Sequence, residues 1–274
     1  MNQIALATEA ACFSSKIETC SAAGRLSAQV LRPARRFDAP PLIVLHGISR
    51  NVAVLAELFM PYAERSGRTI IVPHFEARTW PHFQRPSKTV RPDQALLALL
   101  DGAVAAMPDL AGPVDLFGHS GGAQLAHRVA MLFPHRVARL HVAAAGWYCL
   151  PNRSMPYPYG IGPGKTATTA KWARRKTAAL TEFLSIPVSV YVGSEDIARD
   201  QALRTTPDLD RQQGPNRRAR AVTYVQALNH AAESYGLAPK ARLTELPGCV
   251  HDVVQAITQK KLASLVLDAC LLPA

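Results

Sequence analysis

The feature that most restricts the fold is a short apolar run, Val114 to Phe117, that meets Gly118-His119-Ser120-Gly121-Gly122 and then a stretch of helical character, Gly122 to Phe133. A buried strand that must turn into a helix within a few residues needs glycines where side chains would strike neighbouring backbone. A serine at the apex of that turn has its hydroxyl lifted clear of the sheet. With 14 serines and 16 glycines in 274 residues, chance supplies roughly 0.05 matches to G-x-S-x-G. A plain N-cap for the following helix is the competing role for Ser120.

The rest of the chain repeats the strand-then-helix alternation. Leu42 to Leu45, Thr69 to Val72, Val114 to Phe117, Val137 to Ala145, Val188 to Val192 and Arg242 to Leu246 read as buried strands, with Ala28 to Leu31 as an antiparallel strand ahead of them. Val52 to Arg65, Asp93 to Met107, Gly122 to Phe133, Thr168 to Leu184, Ala219 to Tyr235 and Asp252 to Cys270 read as helices. This pattern predicts a mostly parallel twisted sheet with helices on both faces. The expectation is a single domain over residues 1–274 without a large cap, because little more than one loop and one helix separates Ala145 from Val188. Two irregular stretches, 147–164 and 197–218, are long enough to form walls of a site.

A serine hydroxyl is a weak nucleophile unless a base takes its proton and an acid orients that base. Both residue types follow Ser120, and each lies just past the end of a predicted parallel strand. Gly193-Ser194-Glu195-Asp196 follows Val192, and Pro247-Gly248-Cys249-Val250-His251 follows Leu246. Open α/β sheets place their sites at these carboxyl ends. His251 is the candidate base, although a lone loop histidine is the commoner case. Glu195, Asp196 and Asp200 compete for the acid; Asp196 fits best, three residues beyond the strand-ending Gly193, and an N-cap is its plainer alternative. Asp252 is read as negative charge for the first turn of the last helix. Charge developing on a carbonyl oxygen needs backbone N–H donors. Gly121 and Ile48, in the His46-Gly47-Ile48 turn, are the candidates for this oxyanion hole. A metal-ligand role for His46 is the weaker alternative, since no H-E-x-x-H or C-x-x-C spacing occurs and the chemistry requires no cofactor.

Composition narrows the remaining classes. A net charge of +11 invites an acidic partner. Yet no nucleic-acid motif accompanies the basic clusters Arg32 to Arg36, Lys171 to Lys176 and Arg211 to Arg220, which read as solvated faces, and no nucleic-acid partner is expected. Five scattered cysteines, Cys12, Cys20, Cys149, Cys249 and Cys270, suit a reducing compartment and read as small buried apolar residues. No apolar run approaches the roughly 18 residues of a spanning helix. The Ala-rich first fifteen residues carry no Lys or Arg before Lys16 and are interrupted by Glu9, so the charged start of an export signal is missing. The expected location is cytoplasmic.

From Leu42-Ile43-Val44-Leu45-His46-Gly47 through Gly118 to Gly122 to His251, the chain resembles the α/β-hydrolase superfamily of serine hydrolases along essentially its whole length. Ala145-Gly146-Trp147-Tyr148 followed by Pro156-Tyr157-Pro158-Tyr159-Gly160 resembles the polyhydroxyalkanoate depolymerase and feruloyl esterase branch. That resemblance implies Trp147 beside the nucleophile. Tyr157 and Tyr159 are expected to line the cleft with it, since an apolar ligand pocket needs rigid aromatic walls; core packing is the alternative for Trp147. The expected activity is hydrolysis of small or oligomeric carboxylic esters through an acyl-enzyme on Ser120. A peptidase or perhydrolase using the same groups, and a non-catalytic binding protein for an acidic partner, are the alternatives. The sequence leaves the oligomeric state open.

Overall fold

The computed structural model describes residues 12–268 apart from 88 and 165. The Ala-rich start read for an export signal, Cys270 and the end of the last expected helix lie wholly or partly outside the described residues.

Eight strands form one sheet: β1 (Phe13–Ser21), β2 (Gly24–Arg32), β3 (Leu42–Leu45), β4 (Ile70–His74), β5 (Val114–His119), β6 (Val137–Ala143), β7 (Val188–Gly193) and β8 (Ala241–Leu246). Their spatial order is β1-β2-β4-β3-β5-β6-β7-β8. From β4 to β8 all neighbours are parallel, and β1 and β2 add an antiparallel hairpin at one edge. The expected parallel strands and the antiparallel strand ahead of them are all present. β1 is additional; its run Phe-Ser-Ser-Lys-Ile-Glu-Thr-Cys-Ser is largely polar and exposed, so it carries little apolar signal.

Helices α1 (Val52–Ser66), α2 (Pro92–Ala106), α3 (Gly121–Leu132), α4 (Ala167–Ala178), α5 (Leu180–Leu184), α6 (Pro207–Gln213), α7 (Arg217–Ser234), α8 (Val253–Thr258) and α9 (Leu262–Asp268) cover both faces. The two cores explain why the central strands are apolar at every position. In β3, Ile43 and Leu45 pack with α2, α3 and α7, while Leu42 and Val44 pack with α1, α8 and α9.

Two expected helices are each divided. The Thr168 to Leu184 stretch breaks at Ala179, which leaves helical geometry at φ −94°, ψ 4°. The Asp252 stretch breaks after Thr258, with Lys261 at φ 58°. That turn lets Val253 and Ile257 on one piece and Leu262 and Val266 on the other bury in the same core. The 197–218 stretch, read as irregular, contains α6. Thr206 caps it by accepting from the Leu209 N–H, and Pro207 occupies its first turn.

The basic clusters are not simply solvated. Lys176, Arg217 and Arg220 are almost wholly buried, and Arg32 and Arg36 both bind Asp109. Of the described cysteines, Cys149 and Cys249 are buried as expected, whereas Cys20 is exposed and Cys12 half-buried.

Candidate active site

Ser120 sits between the end of β5 and the start of α3 at φ 54°, ψ −113°. An L-residue adopts this conformation only under strain, of order 1–3 kcal/mol, when its surroundings hold it there. The glycines on either side supply the room. A Cβ on Gly122 would lie 2.2 Å from the Leu45 carbonyl oxygen, and one on Gly118 would lie 2.4 Å from the Gly122 backbone. The Ser120 side chain makes no capping bond to α3, so the N-cap role is absent.

Its hydroxyl faces His251 instead. His251 Nε2 lies 3.1 Å from Ser120 Oγ, and His251 Nδ1 lies 2.8 Å from Asp196 Oδ2. The Asp196 carboxylate can only accept, so Nδ1 carries the proton and Nε2 is left to accept from the serine hydroxyl. Asp196 is 1% exposed. The Glu195 N–H donates to the Cys249 carbonyl at 3.0 Å, which ties the Asp196 turn to the histidine loop, and within the turn the Asp196 N–H donates to the Gly193 carbonyl at 3.1 Å. A Cβ on Gly193 would come within 2.0 Å of the Cys249 carbonyl oxygen, so these loops can approach only because residue 193 lacks one. Asp252 caps α8 directly, accepting from Val254 and Gln255.

Asp200 belongs to a different arrangement. Arg217 binds it through two bonds of 2.8 and 3.0 Å, and Arg217 Nη1 also lies 3.5 Å from Asp196 Oδ1. Asp196 thus has His251 on one oxygen and a buried guanidinium near the other. Arg217 was not legible as a site residue, because its basic run looks like a solvated helix start. His119, the middle residue of the elbow, stacks on His251 with ring centroids 5.1 Å apart. Burial holds its imidazole well below the ordinary histidine range, with the nearby His251 acting in the same direction.

Ile48 and Gly121 lie close together. A Cβ on Gly121 would lie 3.5 Å from the Ile48 backbone nitrogen. The Ile48 loop is held by Arg50, which donates to the carbonyls of Ile48 (2.9 Å), Phe75 (2.8 Å) and Trp80 (3.0 Å). His46 is not free for a metal. Its Nε2 accepts from the Phe75 N–H at 3.0 Å, so Nδ1 is the protonated nitrogen and donates to the Gly47 carbonyl at 2.8 Å. Burial pushes its pKa down to about 4. No cluster of metal-ligating side chains occurs among the described residues.

The cleft over Ser120 encloses about 270 Å³. Ile48, Gly121, Gln124 and Trp147 line it, with His82, Gln84, Arg85, Arg204 and Arg217. Trp147 is therefore a wall of the cleft, although mostly buried. Tyr159 stands behind it, edge to face at 5.0 Å, and is not among the lining residues. Tyr157 departs from expectation altogether. Its ring stacks on Trp172 and its hydroxyl donates to the Pro86 carbonyl at 2.8 Å, which turns it into the α4 packing layer. A larger cavity of about 890 Å³ opens at the other ends of the strands, between Phe37, Tyr62 and Leu267. Its described lining includes Ser66 and Ser264 but no histidine to act as their base.

No family model matches the sequence, and no curated protein sequence matches it. Solved structures do. The chain is similar to poly(aspartic acid) hydrolase-1 from Sphingomonas sp. KT-1, at 21% identity and TM-score 0.77, over 96% of this chain and 100% of that one. It is similar to a poly(3-hydroxybutyrate) depolymerase from Bordetella parapertussis, at 28% identity and TM-score 0.73, over 94% and 90%. An S-formylglutathione hydrolase from Agrobacterium tumefaciens aligns at 14% identity and TM-score 0.60, over 94% and 95%. The fold is that of the α/β-hydrolases, and the likeness to the depolymerase agrees with the branch that the 145–160 segment resembles.

Proposed function

We propose that the protein is a serine hydrolase that cleaves carboxylic esters through an acyl-enzyme on Ser120. The observation that carries this reading is the continuous hydrogen-bonded chain Asp196–His251–Ser120 at a strained strand-to-helix turn. His251 Nε2 takes the hydroxyl proton as Ser120 Oγ attacks the ester carbonyl, and the Ile48 and Gly121 N–H groups receive the charge that develops on oxygen. His251 then gives that proton to the departing alkoxide, and the alcohol leaves. Water repeats the sequence on the acyl-enzyme: His251 takes its proton, the acid departs and the serine is restored. Asp196 holds the ring in the tautomer that exposes Nε2 and stabilises the imidazolium. The proton that leaves with the alcohol is replaced by the one that His251 takes from water and returns to Ser120.

The cleft suits one small acyl or alcohol group against Trp147, or one unit of an oligomer passing its open side. A panel of p-nitrophenyl esters of graded chain length, run beside aryl, hydroxyacid and peptidyl substrates, tests the reading. The expected result is ester turnover that falls by roughly 10³-fold or more in Ser120→Ala. Turnover that persists in that variant, or that is confined to peptidyl amides, contradicts it.

A further inference from the structure

We propose that the Ser120 cleft selects an anionic substrate, an ester whose acyl or alcohol part carries a carboxylate gripped by Arg85 and Arg204. This rests on the ester-hydrolase reading above and extends it to substrate class. The argument begins with where the arginines find partners. Away from the cleft, most partly or wholly buried guanidinia are matched: Arg68 by Asp115, Arg91 by Asp93, Arg136 by Asp101 and Arg220 by Asp210. Around the cleft only Arg217 is matched in this way among the described residues.

No aspartate or glutamate lines the cleft among the described residues. Of its three arginines, Arg217 is already neutralised by Asp200 and Asp196. Arg85 and Arg204 form no ion pair among the described residues. Arg204 is exposed, and its guanidinium lies 6.0 Å from the centroid of the Trp147 ring and 5.7 Å from that of Tyr159. Its backbone is fixed by the Arg220 guanidinium, which donates to the Arg204 carbonyl at 3.0 Å. Arg85 is half-buried, with its N–H donating to the His82 carbonyl at 3.0 Å.

Behind the same wall, Arg128 is fully buried at 4.4 Å from the Trp147 ring centroid, and its Nε and Nη2 meet no acceptor among the described residues. A buried cation without a carboxylate is costly, and an anion in front of Trp147 would offset that cost. A guanidinium presents a planar fork that matches a carboxylate. The Ser120 end of the cleft supplies the chemistry, and the Arg85 and Arg204 end supplies the charge recognition.

The test uses matched esters that differ only in charge. Monomethyl adipate against methyl adipamate places the charge in the acyl part; 4-acetoxybenzoate against 4-acetoxybenzamide places it in the alcohol part. The anionic member of at least one pair should show a kcat/KM about tenfold to a hundredfold above its neutral partner. That ratio should collapse toward one in Arg85→Gln/Arg204→Gln and persist in Arg242→Gln, which removes an exposed charge from the far end of β8. Ratios near one for both pairs in the parent protein overturn the proposal, as does equal loss in Arg242→Gln. Calorimetry on Ser120→Ala separates the two readings. Adipate should bind, tighter than inorganic phosphate and more weakly as salt rises. Neutral-ester turnover without adipate binding refutes the anion site and leaves the hydrolase standing. Adipate binding with no ester turned over refutes the hydrolase and leaves the anion site. Phosphate binding tighter than adipate overturns the carboxylate assignment.

Discussion

Two buried guanidinium–carboxylate pairs stand at opposite ends of the parallel strands. At the amino ends, Arg68 reaches from just before β4 to Asp115 at the start of β5, 2.6 Å away, and also donates to the Pro40 carbonyl. Both side chains are almost fully buried. At the carboxyl ends, Arg217 lies against Asp196 and Asp200, but the second oxygen of Asp196 is given to His251, whose other nitrogen reaches Ser120. The first pair ties the start of β4 to the start of β5 across the intervening β3. The second holds a carboxylate for a ring that must change protonation. The chemical groups are the same, and what differs is that the Asp196 carboxylate also holds a histidine ring that reaches the serine of the cleft.

The contrast can be broken most severely at the site end. Asp196→Asn should lower kcat by about 10³ to 10⁴ with little change in KM, because an amide can present its N–H to His251 and favour the wrong tautomer. Asp200→Asn, which loosens Arg217 without touching the histidine, should stay within about tenfold of the parent. Steady-state kinetics on the two purified variants decide this; a larger loss in Asp200→Asn moves the orienting acid away from Asp196.

At the other end the expected loss is in stability. Removing one member of a buried ion pair strands its partner's charge, typically at about 3–5 kcal/mol. Asp115→Asn should therefore lower Tm by on the order of 10 °C while kcat at a permissive temperature stays near that of the parent. A fall in kcat with an unchanged Tm would mean that the two ends are coupled through the sheet.

A smaller effect sharpens the comparison through pH. His46, on the site side, is held neutral by burial with a pKa of about 4, against 6.5 for a free histidine. The unfolded chain takes up a proton there below pH 6.5 and the folded chain does not. Its contribution to stability is therefore complete above pH 6.5 and is lost as pH falls toward 4. Thermal melts at pH 7.5 and 5.0 should show a shallower acid-side fall in Tm for His46→Gln than for the parent. Equal slopes contradict a neutral His46.

The strands from β2 to β8 and the three residues of the hydrogen-bonded chain were legible because each announces itself locally; the polar, exposed β1 does not. Ser120 lies between glycines after an apolar run, and Asp196 and His251 each follow a strand through a glycine-containing turn. Arg50, Arg128 and Arg217 were not legible, since a basic residue in a basic chain gives no sign of burial. Arg50 holds carbonyls up to 31 positions away, and Arg217 meets a carboxylate 17 positions away. Tyr157 and Tyr159 share one short segment, yet only Tyr159 packs on Trp147. The side to which Tyr157 turns is set by Trp172 on α4, which the local pattern does not carry.

The central claim is that Ser120 is an activated nucleophile, and covalent capture tests it without any choice of substrate. A fluorophosphonate probe followed by intact-mass and peptide mapping should give one adduct per chain, on Ser120. The adduct should be absent in Ser120→Ala and slowed strongly in Asp196→Asn. Full-stoichiometry labelling that persists in Ser120→Ala, or a parent protein that takes up no probe, contradicts the account.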